Sequence, residues 1–90
     1  MNQWIKDNYD SIVKRGFISP QTTVDDFLNK IDEEVLEFKY EILNGSDTRI
    51  REELADVILV CLNIAKHYNI DIEKEMKNKI GINYQRAING

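Results

Sequence analysis

The sequence predicts an all-α protein of four helices, and three observations support this fold class. Apolar residues recur at alternating spacings of three and four along most of the 90-residue chain, which is the period of a helix packed on one face. The four glycines and one proline stand mainly where such helices would end. No stretch shows the strict apolar–polar alternation of a strand. We expect residues 1–90 to form a single domain, because domains of this length are common.

Composition narrows the classes of protein further. A net charge of −4 gives the fold as a whole no attraction to nucleic acid or anionic membranes, so neither is an expected partner. The first residues lack the apolar core of a signal peptide, and the apolar run from Val57 to Leu62 is far shorter than the roughly 20 residues that span a bilayer. Cys61, the only cysteine, lies in that run and is predicted to be a small buried hydrophobe. We expect a cytoplasmic protein.

Helix-ending residues delimit the first two helices. Apolar spacing predicts a helix over residues 2–15, and Gly16 is a suitable stop. Thr22 or Thr23 can cap the second helix, with an approximate capping box, and Gly45 ends it. Its apolar positions are spaced 4, 3, 4, 3, 4, which predicts a packing face made of Val24, Leu28, Ile31, Val35, Phe38 and Ile42.

Capping residues also delimit the third and fourth helices. Ser46 or Asp47 can cap the third helix, and Asp71 can cap a fourth that runs to about Ala87. Gly81 lies inside the fourth helix and could bend or end it. The third helix has a packing face of the same spacing, made of Ile50, Leu54, Val57, Cys61, Ile64 and Tyr68. Because the second and third helices are long and joined by a short connection, they should lie antiparallel.

The middle of the third helix is apolar nearly all round. Leu59 and Leu62 lie on faces away from the predicted packing face. A helix of this kind is buried on most sides, and a chain this short has little else to cover it. The sequence therefore predicts a homo-oligomer in which the third helix is central.

Two pairs of carboxylates lie on matching flanks of the second and third helices. Glu34 and Glu37 are three residues apart, as are Glu53 and Asp56, with 15 residues between the pairs. Residues three apart are neighbours on a helix, so an antiparallel hairpin would bring the two pairs face to face. Asp56 stands out, because apolar residues surround it and a buried carboxylate needs a partner.

Four converging carboxylates repel one another unless a cation neutralises them. A set of oxygen ligands suits a hard cation, so the sequence indicates Mg²⁺, with Mn²⁺ possible, rather than zinc. The alternative is an acidic, solvated helix face, which is the common reason for such pairs. The fourth helix favours the metal interpretation, because its inward stripe changes from apolar residues to Lys79, Asn83 and Arg86, which are suited to phosphate oxygens.

At these residues the chain resembles a known family. The segments that carry the resemblance are Glu33-Glu34-Val35-Leu36-Glu37, Glu53-Leu54-Ala55-Asp56 and the spaced set Lys79, Asn83 and Arg86. Together they are similar to the signature of the MazG-like all-α nucleoside triphosphate pyrophosphohydrolases. The resemblance spans nearly the whole chain, and it implies that family's four-helix fold.

The resemblance also implies an activity, namely Mg²⁺-dependent hydrolysis of a nucleoside triphosphate between the α and β phosphates, which yields the monophosphate and pyrophosphate. The metal ligands it implies are Glu34, Glu37, Glu53 and Asp56. Glu34 would also orient or deprotonate the attacking water, and Lys79, Asn83 and Arg86 would hold the phosphates. Members of the family are usually dimers or tetramers, in agreement with the homo-oligomer expected from the third helix.

The sequence also offers further candidates for substrate binding and two alternative functions. Lys30 lies among the acids of the second helix and is a further candidate for binding substrate. Phe17 and Trp4 are candidates for stacking on a nucleobase, although core packing is the more common use of such residues. Two alternative functions are a phosphoribosyl-ATP pyrophosphatase-like enzyme and a non-catalytic helical oligomer that serves as a binding module.

Overall fold

The structure is a computed structural model that describes residues 2–90. Over this range the chain forms four helices and no strand: α1 (Asn2–Lys14), α2 (Val24–Asn44), α3 (Asp47–His67) and α4 (Ile72–Asn89). The predicted all-α, four-helix fold is confirmed. None of the helices in the described part of the chain is long and apolar enough to cross a membrane.

The ends of α1 and the start of α2 follow the local sequence. Gly16 has a positive φ of 81°, and Phe17 N–H donates to the Ile12 carbonyl at 3.2 Å, which closes α1 with a Schellman motif. Thr23 caps α2: its hydroxyl accepts from Asp26 N–H at 3.2 Å, while the Asp26 carboxylate accepts from Thr23 N–H at 2.9 Å. Both donors would otherwise lack partners at the helix start.

The remaining caps also lie where the sequence places them. The Ser46 hydroxyl accepts from Arg49 N–H at 3.3 Å, and the Asp71 carboxylate accepts from Lys74 N–H at 3.2 Å. The helix α4 is continuous through Gly81 and extends to Asn89, so it neither ends at this glycine nor stops at Ala87. One helix-interior glycine costs only about 1 kcal/mol relative to alanine, which the rest of the helix tolerates.

The helices α2 and α3 form an antiparallel hairpin, as predicted. Each has 21 residues, and the two-residue connection Gly45–Ser46 returns α3 along α2, the most extensively packed pair of helices described. The second contact is made by α1 against α3. This three-helix arrangement positions the candidate site.

The buried side of the hairpin is rotated from the predicted packing faces toward the carboxylates. Buried positions are Phe27, Glu34, Val60, Asn63 and Ala65. By contrast, several residues predicted to pack are substantially exposed, namely Val24, Leu28, Ile42, Leu54, Cys61 and Tyr68. The predicted burial of Cys61 is therefore wrong for the single chain. The reason is tertiary: α1 packs beside the carboxylate flank of α3 and covers that side.

The helix α4 stands apart from the other three. Its first residues Ile72 and Glu73 are half-buried, and every residue from Lys74 onward is exposed. The radius of gyration is 15.4 Å, whereas a compact chain of this length would have about 12 Å. The single chain is thus an elongated molecule with one uncovered helix.

Candidate functional site

Three of the four carboxylates predicted to converge lie together on the α2–α3 hairpin, and Glu37 lies outside this group of three. Glu34, Glu53 and Asp56 each offer an oxygen within 4.8 Å of the others. A second group with the same spacing joins Glu34 to Glu33 and Glu37. Glu34 belongs to both groups, so it is the centre of the acidic cluster.

Glu34 is also the most deeply buried of these acids. Its residue exposure is 8%, whereas Asp56 is exposed and Glu53 is half-buried. Lys30 Nζ contacts Glu34 Oε1 at 3.0 Å and Glu33 Oε1 at 3.6 Å. The buried charge that needs a partner is therefore that of Glu34 rather than of Asp56, and Lys30 provides only part of the compensation.

Mutual repulsion and desolvation raise pKa values within the cluster. The charge of Glu34 is the main cause that raises the pKa of Glu37 above its ordinary value, with desolvation and Glu53 adding to it. Desolvation, followed by the charge of Glu34, raises the pKa of Asp56. The hydrogen bond to Glu34 raises the pKa of Lys30, which keeps this ammonium charged. The folded chain thus brings acids together at an electrostatic cost.

The donor set fits a hard divalent cation. Glu34 Oε2 and Glu53 Oε2 are buried, and neither has a hydrogen-bond partner among the residues described. A buried carboxylate oxygen without a donor is costly, and a cation bound by several carboxylates removes that cost. All ligand atoms are oxygens, as Mg²⁺ and Mn²⁺ prefer.

A cavity of about 710 Å³ adjoins the cluster. Its volume lies in the range of small-molecule sites. Lys30, Glu34 and Asp56 line one part of it, and further residues of α1, α2 and α3 and of the connection between α1 and α2 line the remainder. The apolar part of its wall consists of Ile12, Phe17, Ile18, Phe27, Leu59 and Val60. The arrangement offers an acidic, cation-binding part next to an apolar part.

Comparison with protein families decides the assignment. The sequence model of the MazG nucleotide pyrophosphohydrolase domain matches residues 22–81, which cover α2, α3 and the first part of α4 and include the four predicted ligands. The chain belongs to this family. A search of curated proteins and a search of solved structures returned no match.

Two of the predicted substrate contacts lie at the cavity of this MazG domain. Lys30 bridges Glu33 and Glu34, as described above. Phe17 lines the cavity and is 66% exposed, and the Arg15 guanidinium carbon lies 4.9 Å from the centre of its ring. Trp4, 73% exposed, does not line the cavity. Core packing is therefore not the role of either aromatic residue in the single chain.

The predicted phosphate-binding stripe of this MazG domain does not lie at the cavity when a single chain is considered. Lys79, Asn83 and Arg86 are all exposed on α4, and none of them lines the cavity beside the carboxylates. The expectation that this stripe faces the acids of the same chain is not met, because α4 lacks extended packing against α2 and α3.

Sequence reasoning missed several residues at the site of this MazG domain. Asn63 is buried on α3, Asn8 of α1 contacts it, and both line the cavity, as does Arg15. Glu33 is not among the predicted ligands, and it is exposed, but one of its oxygens joins the acidic cluster. For Asn63 a signal existed: it lies seven residues after Asp56, on the same helical face.

Proposed function

We propose that this MazG domain is a Mg²⁺-dependent nucleoside triphosphate pyrophosphohydrolase, which cleaves between the α and β phosphates to give a nucleoside monophosphate and pyrophosphate. The observation that carries the proposal is the pair of buried, unpartnered carboxylate oxygens on Glu34 and Glu53, within an acidic cluster beside a cavity of nucleotide size. Family membership supports the reaction class.

In this proposal Glu34, Glu37, Glu53 and Asp56 hold the metal. Bound there, Mg²⁺ would neutralise phosphate charge, since it commonly binds through carboxylates together with substrate phosphates. The contributions of the chain itself are to place these ligands on two rigid helices and to present two of them, Glu34 and Asp56, to the cavity. Mn²⁺ would meet the same ligand preference.

Glu34 is our candidate general base. Its Oε2, which has no partner among the described residues, is the oxygen available to the metal, so Oε1, which Lys30 engages at 3.0 Å, is the oxygen that would orient or deprotonate the attacking water. A general base must lie at hydrogen-bond distance from the proton that it removes. The Glu34 carboxylate suits this role because the helix α2 holds it in a fixed position. The contact with Lys30 fixes the orientation of the carboxylate, and the same ammonium can approach a phosphate oxygen.

The base would occupy the apolar part of the cavity, with Phe17 as a stacking surface at its rim. Arg15 already covers the Phe17 ring, and guanidinium planes stack on flat rings as well as aromatic side chains do. The two residues together form a flat platform that can accept a nucleobase.

We also propose a homodimer or homotetramer in which α4 of one copy completes the site of another. In the single chain, Lys79, Asn83 and Arg86 lie on an uncovered helix, while Lys30 and Arg15 are the cationic residues that line the cavity beside the acids within the described part of the chain. A cationic and amide stripe is complementary in charge to an acidic cluster. Exposed apolar residues accompany the stripe, namely Met76, Ile80, Ile82, Tyr84 and Ile88.

The activity is tested by incubating the protein with Mg²⁺ and a panel of nucleoside triphosphates that includes phosphoribosyl-ATP, and identifying the products. We expect pyrophosphate and the monophosphate. Asp56→Asn and Glu34→Gln should each lower kcat/KM by at least about 100-fold, since even the partners of metal ligands cost 10–100-fold. Asp32→Asn, an exposed acid of α2 outside the cluster, is the matched control and should keep the rate.

Three outcomes would contradict the proposal. Release of orthophosphate in place of pyrophosphate would place the cleavage at a different bond. Full activity of Asp56→Asn would remove the acidic cluster from the reaction. Absence of any product across the panel would favour the non-catalytic binding module, particularly if Mg²⁺ also fails to change the stability of the protein.

A further inference from the structure

Two asparagines from different helices meet in the cavity. Asn63 of α3 is 7% exposed and Asn8 of α1 is half-buried. Asn8 Nδ2 donates to Asn63 Oδ1 at 2.7 Å, and both side chains line the cavity. The polar atoms of a side chain buried to this extent ordinarily each have at least one hydrogen-bond partner.

This pair does not use its whole capacity. An asparagine amide carries two N–H donors on nitrogen and two acceptor positions on oxygen, and the contact between the two side chains uses one donor and one acceptor. Asn63 Nδ2 and Asn8 Oδ1 make no other side-chain hydrogen bond in the described residues. The pair therefore presents a donor from Asn63 next to an acceptor from Asn8.

The distance from the acidic cluster matches the length of a nucleoside. Asn63 follows Asp56 by seven residues, or two helical turns, which is about 10.5 Å along the axis of α3. Val60 lies between them on the same face and is buried. A triphosphate bound at the carboxylates would thus extend its sugar past Val60 and bring its base to the asparagine pair.

We propose that Asn63, oriented by Asn8, is a specificity-determining residue that reads the hydrogen-bonding edge of the nucleobase. This inference rests on the proposed function, because it takes the substrate to be a nucleotide. Asn63, the more buried of the two residues, offers an N–H donor. It therefore suits a base that carries a carbonyl oxygen as the exocyclic group on its hydrogen-bonding edge. The acceptor of Asn8 suits the neighbouring ring N–H.

The substrate class follows from this order of donor and acceptor. Uracil, thymine and guanine carry a carbonyl oxygen beside a ring N–H, whereas cytosine and adenine carry an amino group in the carbonyl position. An amino group would direct a donor at the donor of Asn63, and the unpaired groups would cost binding energy. The site therefore favours keto bases over amino bases.

Base preference is measured in two ways. The first is kcat/KM for the triphosphates of uracil, thymine, guanine, cytosine and adenine, and the second is calorimetric binding of their α,β-imido analogues with Mg²⁺. We expect the keto bases to be preferred by roughly tenfold, the usual effect of one hydrogen bond. Asn63→Asp replaces the donor with an acceptor in the same shape and should reverse the preference toward amino bases.

Two further variants and one control complete the test. Asn63→Ala should make affinities for the bases nearly equal, and Asn8→Ala should weaken the preference by releasing Asn63. Asn29→Ala, an exposed asparagine of α2 outside the cavity, should retain the wild-type preference. Helical circular dichroism and stabilisation by Mg²⁺ alone should persist in each variant, which shows that the fold and the acidic cluster are intact.

The two proposals fail in different ways. If no nucleotide yields pyrophosphate, the hydrolase assignment is wrong, and the binding measurements still decide the role of Asn63. If pyrophosphate is released but Asn63→Asp and Asn63→Ala keep the wild-type order of bases, the inference is overturned while the hydrolase assignment stands. A wild-type preference for cytosine or adenine would also overturn it.

Discussion

Glu34 is the residue on which the acidic cluster depends. It is buried at 8% exposure, takes part in both acidic groups and raises the pKa of both Glu37 and Asp56. Asp56, which stands out in the sequence because of its apolar neighbours, lies on the exposed side of the cluster. The apolar neighbours of Asp56 in the sequence indicated that a carboxylate in this region needs a positively charged partner. The burial seen in the structure identifies Glu34 as the carboxylate that needs it most.

The first prediction at this scale is that Mg²⁺ stabilises the protein through these carboxylates. A ligand at ten times its dissociation constant adds about 1.4 kcal/mol to the free energy of unfolding, which raises the melting temperature by roughly 5–10 °C in a domain of this size. Thermal unfolding followed by circular dichroism, with and without Mg²⁺, measures the shift. Asp32→Asn should retain it and Glu34→Gln should lose it.

Asp56→Asn should have a double effect in the same experiment. A carboxyl group whose folded pKa lies above its unfolded value destabilises the fold when ionised, as it is at neutral pH. The pKa of Asp56 is raised, so the neutral amide should melt at a higher temperature than the wild type without Mg²⁺, yet gain less from Mg²⁺. A variant that melts lower without metal would contradict the repulsion described for the cluster.

At the scale of the helices, capping residues determine where each element begins. Thr23, Ser46 and Asp71 each accept a hydrogen bond from a backbone N–H three residues later, and all three positions are readable from the sequence. Gly81 shows the limit of local reasoning. It is a poor helix former, yet α4 continues through it because the seventeen other residues of the helix support one unfavourable position.

Two glycines provide a matched test of helix propensity. A Cβ atom added at Gly81 would meet nothing within 4 Å, so Gly81→Ala should raise the free energy of unfolding of the single chain by about 0.5–1 kcal/mol. Gly16 has a φ of +81°, so Gly16→Ala should lower it by about 1 kcal/mol, since alanine is strained there. Urea unfolding measures both changes.

The outcome at Gly81 also carries information on assembly. If Gly81→Ala is destabilising while it increases the helicity of the monomer, then α4 packs closely against a second copy at this position. If Gly16→Ala is neutral, the Schellman motif at the end of α1 does not contribute as described.

At the scale of the whole molecule, the single chain leaves much apolar surface uncovered. None of the described side chains is exposed by less than 2%, and large apolar residues are exposed on α2 and on α4, among them Leu36 at 69% and Ile80 at 67%. Contiguous apolar surface commonly marks a contact surface, so these exposed residues agree with the proposed oligomer.

Sedimentation tests this assembly directly. We expect the wild type to be a dimer or tetramer at micromolar concentration. Ile80→Asp places a charge on the apolar side of α4 and should shift the protein toward monomer, with a parallel loss of activity because the stripe on α4 would no longer reach a partner site. Asn78→Asp introduces the same charge at an exposed polar position of α4 and should remain associated. A wild-type monomer would contradict the proposal.

The sequence by itself determined the fold class, the caps and the carboxylates that meet. These features depend on short-range rules, since capping, glycine stops and i,i+3 spacing act within a few residues, and a two-residue connection forces adjacent helices to be antiparallel. Placement of Glu34 near Glu53 and Asp56 follows from the length of that hairpin, which sets the height of the two pairs, together with their matching positions on the two helices.

Only the tertiary structure decided which faces are buried. The side of α3 that faces inward depends on α1, whose residue Asn8 contacts Asn63 across 55 residues of sequence. Because α1 packs there, Val60 and Asn63 are buried while Leu54 and Cys61 remain exposed. The same packing forms the cavity beside the carboxylates, and the lack of extended packing by α4 leaves Lys79, Asn83 and Arg86 away from it. Periodicity identifies an apolar face of a helix, but the neighbour that covers a face is a property of the whole chain.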